Sequence, residues 1–473
     1  MRWIRAISSQ VEETAENLGG KALGLVLLRR LGLRVPDGFV VTAEACRVFL
    51  REGRLPESLH DEFTTAVADL EHRTGRVFGA RERPLAVSVR SGAPVSMPGM
   101  LTTILDLGLT PEATETPEPV PAETHDRASA ARSRLRPLER AVEAVFASWD
   151  APRARTYRAL NDISDGLGTA VIVQAMVFGN KDEHSGSGVA FSRDPNTGEN
   201  APFGEVLFEH QGTDVVSGGA TTRPLRELAG REPAVWAELC DALRRIERHY
   251  RDACYVEFTY EAGELWFLQV RPGRFGGAAA VRLAVELVDE GVIEQREALL
   301  RVSPRHLRHA RTPRLDSAEA EILARGIGAC PGVASGRVAT SPDEAARMAA
   351  AGVPVILVRP ETSPDDMRGF AVAAGIVTAR GGPASHAAVV ARSMGRPAVV
   401  GVGGLVFDAA NGSATIADRL LTPDTLLTID GTSGDVAAGS PRILLTPAGT
   451  HLHRFLAWSE EISSDGSTQG EGG

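Results

Sequence analysis

The chain has 473 residues, enough for two or three domains with sizeable cores. Its formal net charge is −10, which argues against a nucleic-acid-binding protein, since that needs a basic face; a nucleotide ligand needs only a few local cations and stays open. No apolar run approaches the ~18 residues of a membrane span, the N-terminus turns polar and acidic too early for a signal peptide, and four scattered cysteines form no CxxC pair, so a reduced, cytoplasmic protein without a cysteine-built zinc site is expected.

In chain order, GGKALGLVLLRRLG (19–32) carries helical periodicity, LRVPDG is a turn and FVVT a short strand. LAVSV (85–89) reads as a buried strand followed by the loop RSGAPVSMPGM. Residues 111–136, rich in Pro, Glu, Thr and Ala, break the pattern and are expected to be a variable surface loop. A helix LERAVEAVFASW, strands AVIVQAMVFG and EVLFEH around the glycine-rich SGSGVAF, and a helix AVWAELCDALRRIERHY follow. YVEFTY and LWFLQVR are two strands of a hairpin around EAGE, and GAAAVRLAVELVDEG is a helix.

Residues 302–328 hold no long apolar strand and serve as the expected linker between a domain at 1–301 and one at 329–440. In the latter, strands and helices alternate: GRVAT, DEAARMAAAG, VPVILV, GIVTA, an alanine-rich helix, PAVVGV and a hairpin TLLTID-GTSG-DVAAG. The tail 441–473 ends in SSDGSTQGEGG, expected to be disordered. The fold class is α/β.

Neither a Walker A loop nor a GxGxxG fingerprint is present: LGGKA lacks the spaced first glycine and the Ser/Thr after lysine, and Phe191 stands where SGSGVAF would need its last glycine. Three other features suit a phosphate. Gly19-Gly20-Lys21 opens a helix, where free N–H groups and a lysine can face an anion. Arg90 follows a strand, and guanidinium binds phosphate bidentately. Residues 185–189 are small enough for a close backbone approach. Each is equally compatible with an ordinary surface position. In the hairpin 255–271, a three-residue loop Ala262-Gly263-Glu264 would set Glu257 opposite Gln269 and Tyr255 opposite Arg271. The shared face is then either a magnesium and phosphate site or a solvated face. His386, at the start of the alanine-rich helix with Ser385 as its cap, is either a polar helix-end residue or a presented nucleophile kept neutral by the helix N-terminus.

The stretch GGPASHAAVVARSMGRPAVVG (381–401) resembles the phosphohistidine signature of the PEP-utilising enzymes. SVRSGAPVSMPGMLTTILDLGLT (88–110), TAVIVQAMVFGN (169–180), SGSGVAFSRDPNTGE (185–199) and ELWFLQVRPGR (264–274) resemble the ATP-binding domain of pyruvate, phosphate dikinase. VILVRPETSPDDMRG (355–369) is similar to the start of its swivelling domain. The resemblance spans roughly 17–110 and 138–440. It implies an α+β ATP-grasp domain followed by a smaller α/β swivelling phosphohistidine domain, with ATP as substrate and Mg²⁺ as cofactor. Lys21, Arg90 and Arg271 would hold the phosphates, Glu257 and Gln269 the metal; Gln174 and Met176 would border the adenine, and Ser185, Gly186, Ser187 and Gly188 would line the triphosphate. His386 would take the phosphoryl group, with Arg90 and Arg271 assisting catalysis.

Departures accompany the resemblance. The family's PEP/pyruvate barrel has no counterpart in the sequence, so the acceptor is expected on a separate PEP/pyruvate- or acceptor-binding subunit or at an interdomain site. Tyr255 stands where the family has an acidic residue, and Ala384 where dikinases often have threonine. The expected function is therefore a dikinase-type phosphotransferase making AMP and phosphohistidine for an unknown phosphoryl acceptor. The alternatives are a small-molecule phosphotransferase of specialised metabolism and a catalytically impaired ATP-binding regulatory protein.

Overall fold

A computed structural model describes residues 2–95, 97, 99–109, 127–212, 222–273, 275–310, 313–383, 385–408, 413–445 and 449–468. The chain forms two compact bodies: Met1–Phe178 with Leu265–Arg271, and Gly179–Glu264 with Pro272–Gly473.

The first body is built on a five-stranded sheet in the order Ile4–Ala6, Gly38–Val41, Ala170–Ala175, Val87–Gly92, Thr103–Leu107, antiparallel throughout. Ala170–Ala175 is central and buried, as its unbroken AVIV run requires. Helices Ala43–Glu52, Leu59–Thr74 and Arg127–Ala147 bury Phe63, Val67, Val142 and Phe146 in one core with Phe39, Val87 and Val173 of the sheet. Two expectations change here. The strand expected to stop at 89 runs on through Gly92, because Arg90, Ser91 and Gly92 pair with Ile172, Val171 and Ala170. The expected loop 111–136 is already helical from Arg127, where RASAARSRLR supplies strong helix formers; residues 110–126 lie outside the described ones.

In the second body, strands Cys254–Glu261, Gly186–Phe191, Phe203–Phe208 and Arg223–Pro224 lie side by side in that order. Helix Pro233–Tyr250 buries Val235, Leu239, Leu243 and Ile246, one stripe at helical spacing. An eight-stranded sheet follows, ordered Ile322–Arg325, Asp435–Ala438, Leu426–Asp430, Val333–Ala339, Val355–Arg359, Gly375–Thr378, Ala398–Val400, Ile327–Cys330. Its middle, from Val333–Ala339 to Ala398–Val400, is parallel. Helix His386–Met394 fills the crossover between the strands Gly375–Thr378 and Ala398–Val400.

Residues 302–328 are more than a connection. Pro304–Arg308 is helical, Pro313–Leu315 pairs with Ile443–Leu445, and Ile322–Arg325 joins the edge of the large sheet. Asp430 fastens this segment, accepting from the Leu315 backbone N–H at 3.0 Å and from Arg314 at 2.9 Å. The tail, too, is structured. Helix Thr450–Thr468 packs Leu452, Phe455 and Trp458 into one cluster with helix Gly277–Asp289, and Arg454 pairs bidentately with Asp289. The helix reaches into the stretch expected to be disordered; residues 469–473 lie outside the described ones. Among the described residues no helix is long and apolar enough to cross a membrane.

Candidate functional site

In the first body, three expected phosphate-binding cations are carried by elements that touch one another. Gly19, at φ 78°, breaks helix Ala15–Arg30 and packs so tightly on Gly92 that a Cβ would overlap the Gly92 carbonyl. Gly20 N–H donates to Ala93 O at 3.1 Å, so one helix-start donor is spent in holding the loop. One turn beyond Lys21, on the same helix face, Gly24 lies against the Val270 backbone. Arg90 donates through Nη1 to Leu268 O at 3.1 Å. Lys21, Arg90 and the strand bearing Gln269 and Arg271 are thus assembled around one strand end, with Gln269 and Arg271 two residues apart on one face. Arg90 reaches this place from within a strand, not from a loop.

Gln174 is not an open ligand side chain. It is buried, its Nε2 donates to Pro36 O at 2.9 Å, and its backbone lies between Gly38 and Ser88 in the sheet. Met176 N–H donates to Ala86 O at 2.9 Å.

The hairpin loop differs from expectation. Strand Cys254–Glu261 ends and strand Glu264–Pro272 begins with only Ala262 and Gly263 between them, both at positive φ. Two residues suffice for this right-twisting turn, whereas a three-residue loop was expected. The one-residue change removes the basis for setting Glu257 directly opposite Gln269.

In the second body, most of the small residues expected to line the triphosphate belong to a fully buried strand, Gly186–Phe191. Cβ atoms at Gly186 and Gly188 would collide with the rings of Tyr260 and Phe258, so these glycines make room for aromatic side chains. Ser185 accepts from Ala262 N–H at 3.0 Å and bonds Asp182, and Ser187 bonds Thr259 at 3.0 Å; both hydroxyls pin the fold. The face opposite the Tyr260 and Phe258 rings carries two carboxylates. Val189 is flanked directly by Glu205 on one neighbouring strand and Glu257 on the other. The two carboxylates therefore stand in one row, with Cα atoms roughly 10 Å apart at two strand spacings. Tyr255 shares that face and is buried against Phe191, ring centroids 4.9 Å apart, in a cluster with Val189, Leu207 and Phe203.

The phosphohistidine-like segment lies over this face. Gly382 is seated on Glu205 so closely that a Cβ would overlap the carboxylate, while Thr222 donates to Glu205 Oε1 at 2.6 Å. Arg392, on the His386 helix, lies over the Phe191 ring at 5.5 Å and donates to Pro383 O at 2.5 Å. Asn196 bonds Gly328 O at 3.0 Å.

His386 begins its helix immediately after Ser385, whose Oγ accepts from Ala388 N–H. Its Nδ1 lies 3.2 Å from Thr362 Oγ1, and its ring meets the Phe370 edge at 6.0 Å. Its Nε2 is buried and has no hydrogen-bond partner among the described residues. Burial holds the imidazole below its ordinary pKa, against the opposing pull of Asp366, so it is neutral at pH 7. A neutral ring held at Nδ1 with its other nitrogen undonated is what a nitrogen nucleophile requires.

Glu205 and Thr362 were not singled out from sequence. Thr362 and Asp366 sit in RPETSPDD, whose density of short polar residues after an apolar strand marks a loop that can hold a side chain. Glu205 inside EVLFEH carries no such signal. Ala384 lies outside the described residues. Among the described residues no group of three or more His, Cys, Asp or Glu side chains could cage a metal.

Comparison with known proteins completes the site. The family model for the pyruvate phosphate dikinase AMP/ATP-binding domain matches residues 15–77 and 51–226, and that for the PEP-utilising enzyme mobile domain matches 339–434. The chain is 37 % identical over 546 residues to pyruvate, phosphate dikinase of Rhizobium meliloti (strain 1021), covering 97 % of this chain and 60 % of the relative. It is 35 % identical over 529 residues to that of Clostridium symbiosum, covering 98 % and 60 %. It is 36 % identical over 510 residues to pyruvate, phosphate dikinase 2 of Oryza sativa subsp. japonica, covering 94 % and 58 %. The chain thus spans about 60 % of the length of these curated relatives. An ATP-grasp domain followed in order by a mobile domain, each matched along its own segment, makes this chain a member of the pyruvate, phosphate dikinase family of PEP-utilising enzymes.

Proposed function

We propose that this chain is the energy-coupling part of a dikinase-type phosphotransferase. It cleaves ATP to AMP, passes the γ-phosphoryl group to phosphate or water, and keeps the β-phosphoryl group on Nε2 of His386. The acceptor that finally takes it is bound elsewhere, on a separate PEP/pyruvate- or acceptor-binding subunit or at an interdomain site.

The observation that carries this reading is the seating of Gly382 on Glu205, in the same row as Glu257. It sets the glycine loop before His386 over the sheet face that bears the expected metal carboxylate. Phosphoryl transfer depends on positioning and charge neutralisation more than on covalent help. Lys21, Arg90 and Arg271 supply positive charge for the triphosphate. The histidine attacks phosphorus through the Nε2 lone pair while Nδ1 keeps its proton toward Thr362. The P–O bond to the leaving phosphate oxygen breaks, and the AMP phosphate leaves as an anion.

Glu257 and Gln269 are the residues that the family resemblance assigns to Mg²⁺, although the two-residue turn does not set them opposite one another. One carboxylate and one amide oxygen are a chemically suitable set, because Mg²⁺ commonly takes one or two protein oxygens and leaves its other positions to water and substrate phosphates. When bound, it supplies charge neutralisation to the phosphates.

The test uses ATP labelled at the β- or γ-phosphate, with Mg²⁺. AMP formation and β-label on the protein, lost in His386→Ala, are expected. Label from the γ position alone would replace this reading with a simple kinase. Bound ATP with neither label would favour the regulatory reading, for which the burial of Tyr255 in an apolar cluster at a usually acidic position is the supporting observation.

A further inference from the structure

Strands Val355–Arg359 and Gly375–Thr378 run parallel, side by side in the large sheet. The loop after the first carries Thr362, and the loop after the second leads into His386. The two loops are tied at their roots: Ala379 N–H donates to Arg359 O at 3.0 Å and Arg380 N–H to Pro360 O at 2.8 Å.

Asp366 closes the first loop. It stands just before helix Met367–Val372, where an aspartate ordinarily caps free N–H groups, yet its side chain makes no cap bond. Its Oδ2 reaches back instead to the residue beside Thr362, accepting from Ser363 N–H at 2.7 Å and from Ser363 Oγ at 3.4 Å. Its Oδ1 lies 2.9 Å from Nε of Arg359, an ion pair in which the N–H is not aimed along a hydrogen bond. Arg359 is itself fixed by donation from Nη1 to Thr340 O at 2.8 Å. Asp366 is only 2 % exposed, so its charge needs these partners. One buried carboxylate thus binds the loop at both ends, at the strand end and at Ser363, with Thr362 between them.

The contact that this arrangement holds in place is Thr362 Oγ1 on Nδ1 of His386, at 3.2 Å. It bears on the ring tautomer. Nε2 has no hydrogen-bond partner among the described residues, so a proton there would be a buried N–H left unmet. A proton on Nδ1 is met by Thr362, and the lone pair then lies on Nε2, the atom that attacks phosphorus. If Thr362 swings away, neither nitrogen is held, and a free imidazole ordinarily prefers its proton on Nε2. Asp366 makes no hydrogen bond to the ring, although its charge is felt there, opposing the lowering of the imidazole pKa by burial.

We propose that Asp366, anchored by Arg359, is a positioning residue that acts through Thr362 to keep the lone pair of His386 on Nε2. Its bearing on phosphotransfer rests on the reading of His386 as the phosphoryl carrier. The test is a double-mutant cycle in the full chain with two readouts. Ring ¹⁵N shifts of His386, taken without nucleotide at a pH where the ring is neutral and assigned by their loss in His386→Ala, report the tautomer. Label from β-labelled ATP reports the rate of phosphohistidine formation. The parent is expected to hold its proton on Nδ1. Asp366→Ala is expected to populate the Nε2-protonated ring and to slow labelling about tenfold, with the ATP concentration for half-saturation unchanged. Asp366→Asn keeps an oxygen for Ser363 N–H and should recover most of both. Combined with Thr362→Val, Asp366→Ala should add nothing to the effect of Thr362→Val alone, because both act through one contact. Arg359→Met frees the strand end of the loop and is expected to shift the tautomer in the same way; it decides the matter if Asp366→Ala fails to fold. A parent ring protonated on Nε2, a folded Asp366→Ala or Arg359→Met with the parent's tautomer, or effects of Asp366→Ala and Thr362→Val that multiply would each overturn the proposal. The tautomer is read without any transfer. A chain whose tautomer shifts as expected, but which takes no β-label, would support the positioning role while refuting phosphohistidine formation.

Discussion

Gly382 rests on the carboxylate of Glu205, two strands from Glu257, with no room for a Cβ between them. This contact holds the loop before His386 over the sheet. Gly382→Ala is expected to push the loop off Glu205. A misplacement of about 1 Å costs transfer roughly 100-fold, so labelling of His386 from β-labelled ATP should fall by about that factor while ATP binding is retained. Unchanged labelling would show that transfer occurs in another arrangement.

His386 and Thr362 give a separate prediction. The ring tautomer that donates from Nδ1 to Thr362 Oγ1, 3.2 Å away, leaves the lone pair on Nε2. Thr362→Val removes that hold and is expected to slow phosphohistidine formation about tenfold with little change in the ATP concentration for half-saturation. Thr362→Ser should restore most of the rate, which a merely structural role would not require.

The same histidine sets a pH dependence. Burial lowers its pKa from the ordinary 6.5, so the folded state resists protonation. Between the folded value and 6.5 the unfolded chain binds more protons. Stability from this group therefore rises as pH rises through the folded pKa towards 6.5, and is lost on acidification below it. The acid limb of the phosphohistidine-forming rate is expected below pH 6.5. An imidazole titration followed by NMR in the full chain that gave a midpoint at or above 6.5 would contradict this.

Much of this was legible in the chain. The parallel strands VILVR, GIVT and AVV and the helix after His386 follow from apolar runs bounded by glycine and proline. The strand pairing of Arg90 was not, because Arg-Ser-Gly looks like a loop until Ile172, Val171 and Ala170 claim its backbone. Nor was the strand at Gly186–Phe191: glycines suggest a loop unless the aromatic rings that fill their place are known. The candidate site divides in the same way. Lys21, Arg90 and His386 announce themselves by type and setting, whereas Glu205 acquires its place only through Gly382, 177 positions away in the sequence.

Tyr255 occupies a position where the resemblance implies an acid, and the surroundings are now apolar. It packs on Phe191 within the cluster of Val189, Leu207 and Phe203. Tyr255→Asp would bury a carboxylate there, at a cost of about 3 kcal/mol or more. Tyr255→Phe should be nearly silent in thermal melts. If Tyr255→Asp instead melts like the parent and raises AMP formation, the phenol is a replaceable substitute for a metal carboxylate.

Arg193 bears on the stability of the second body alone. Its side chain is fully buried and bonds three carboxylates: Glu247 at 2.6 Å, Glu290 at 2.7 Å and Glu286 at 3.1 Å. Desolvation opposes its charge, but the bonds to Glu247 and Glu290 outweigh that and raise its pKa. The cluster joins the loop after strand Gly186–Phe191 to helices Pro233–Tyr250 and Gly277–Asp289. Arg193→Met would leave these glutamates facing one another with their counter-charge gone. A loss of about 3–5 kcal/mol is expected. Arg193→Lys keeps the charge but cannot fork to three acceptors, so it should recover only part of the loss. Urea unfolding of the two variants checks this: equal destabilisation by Met and Lys would mean that packing rather than charge holds the cluster.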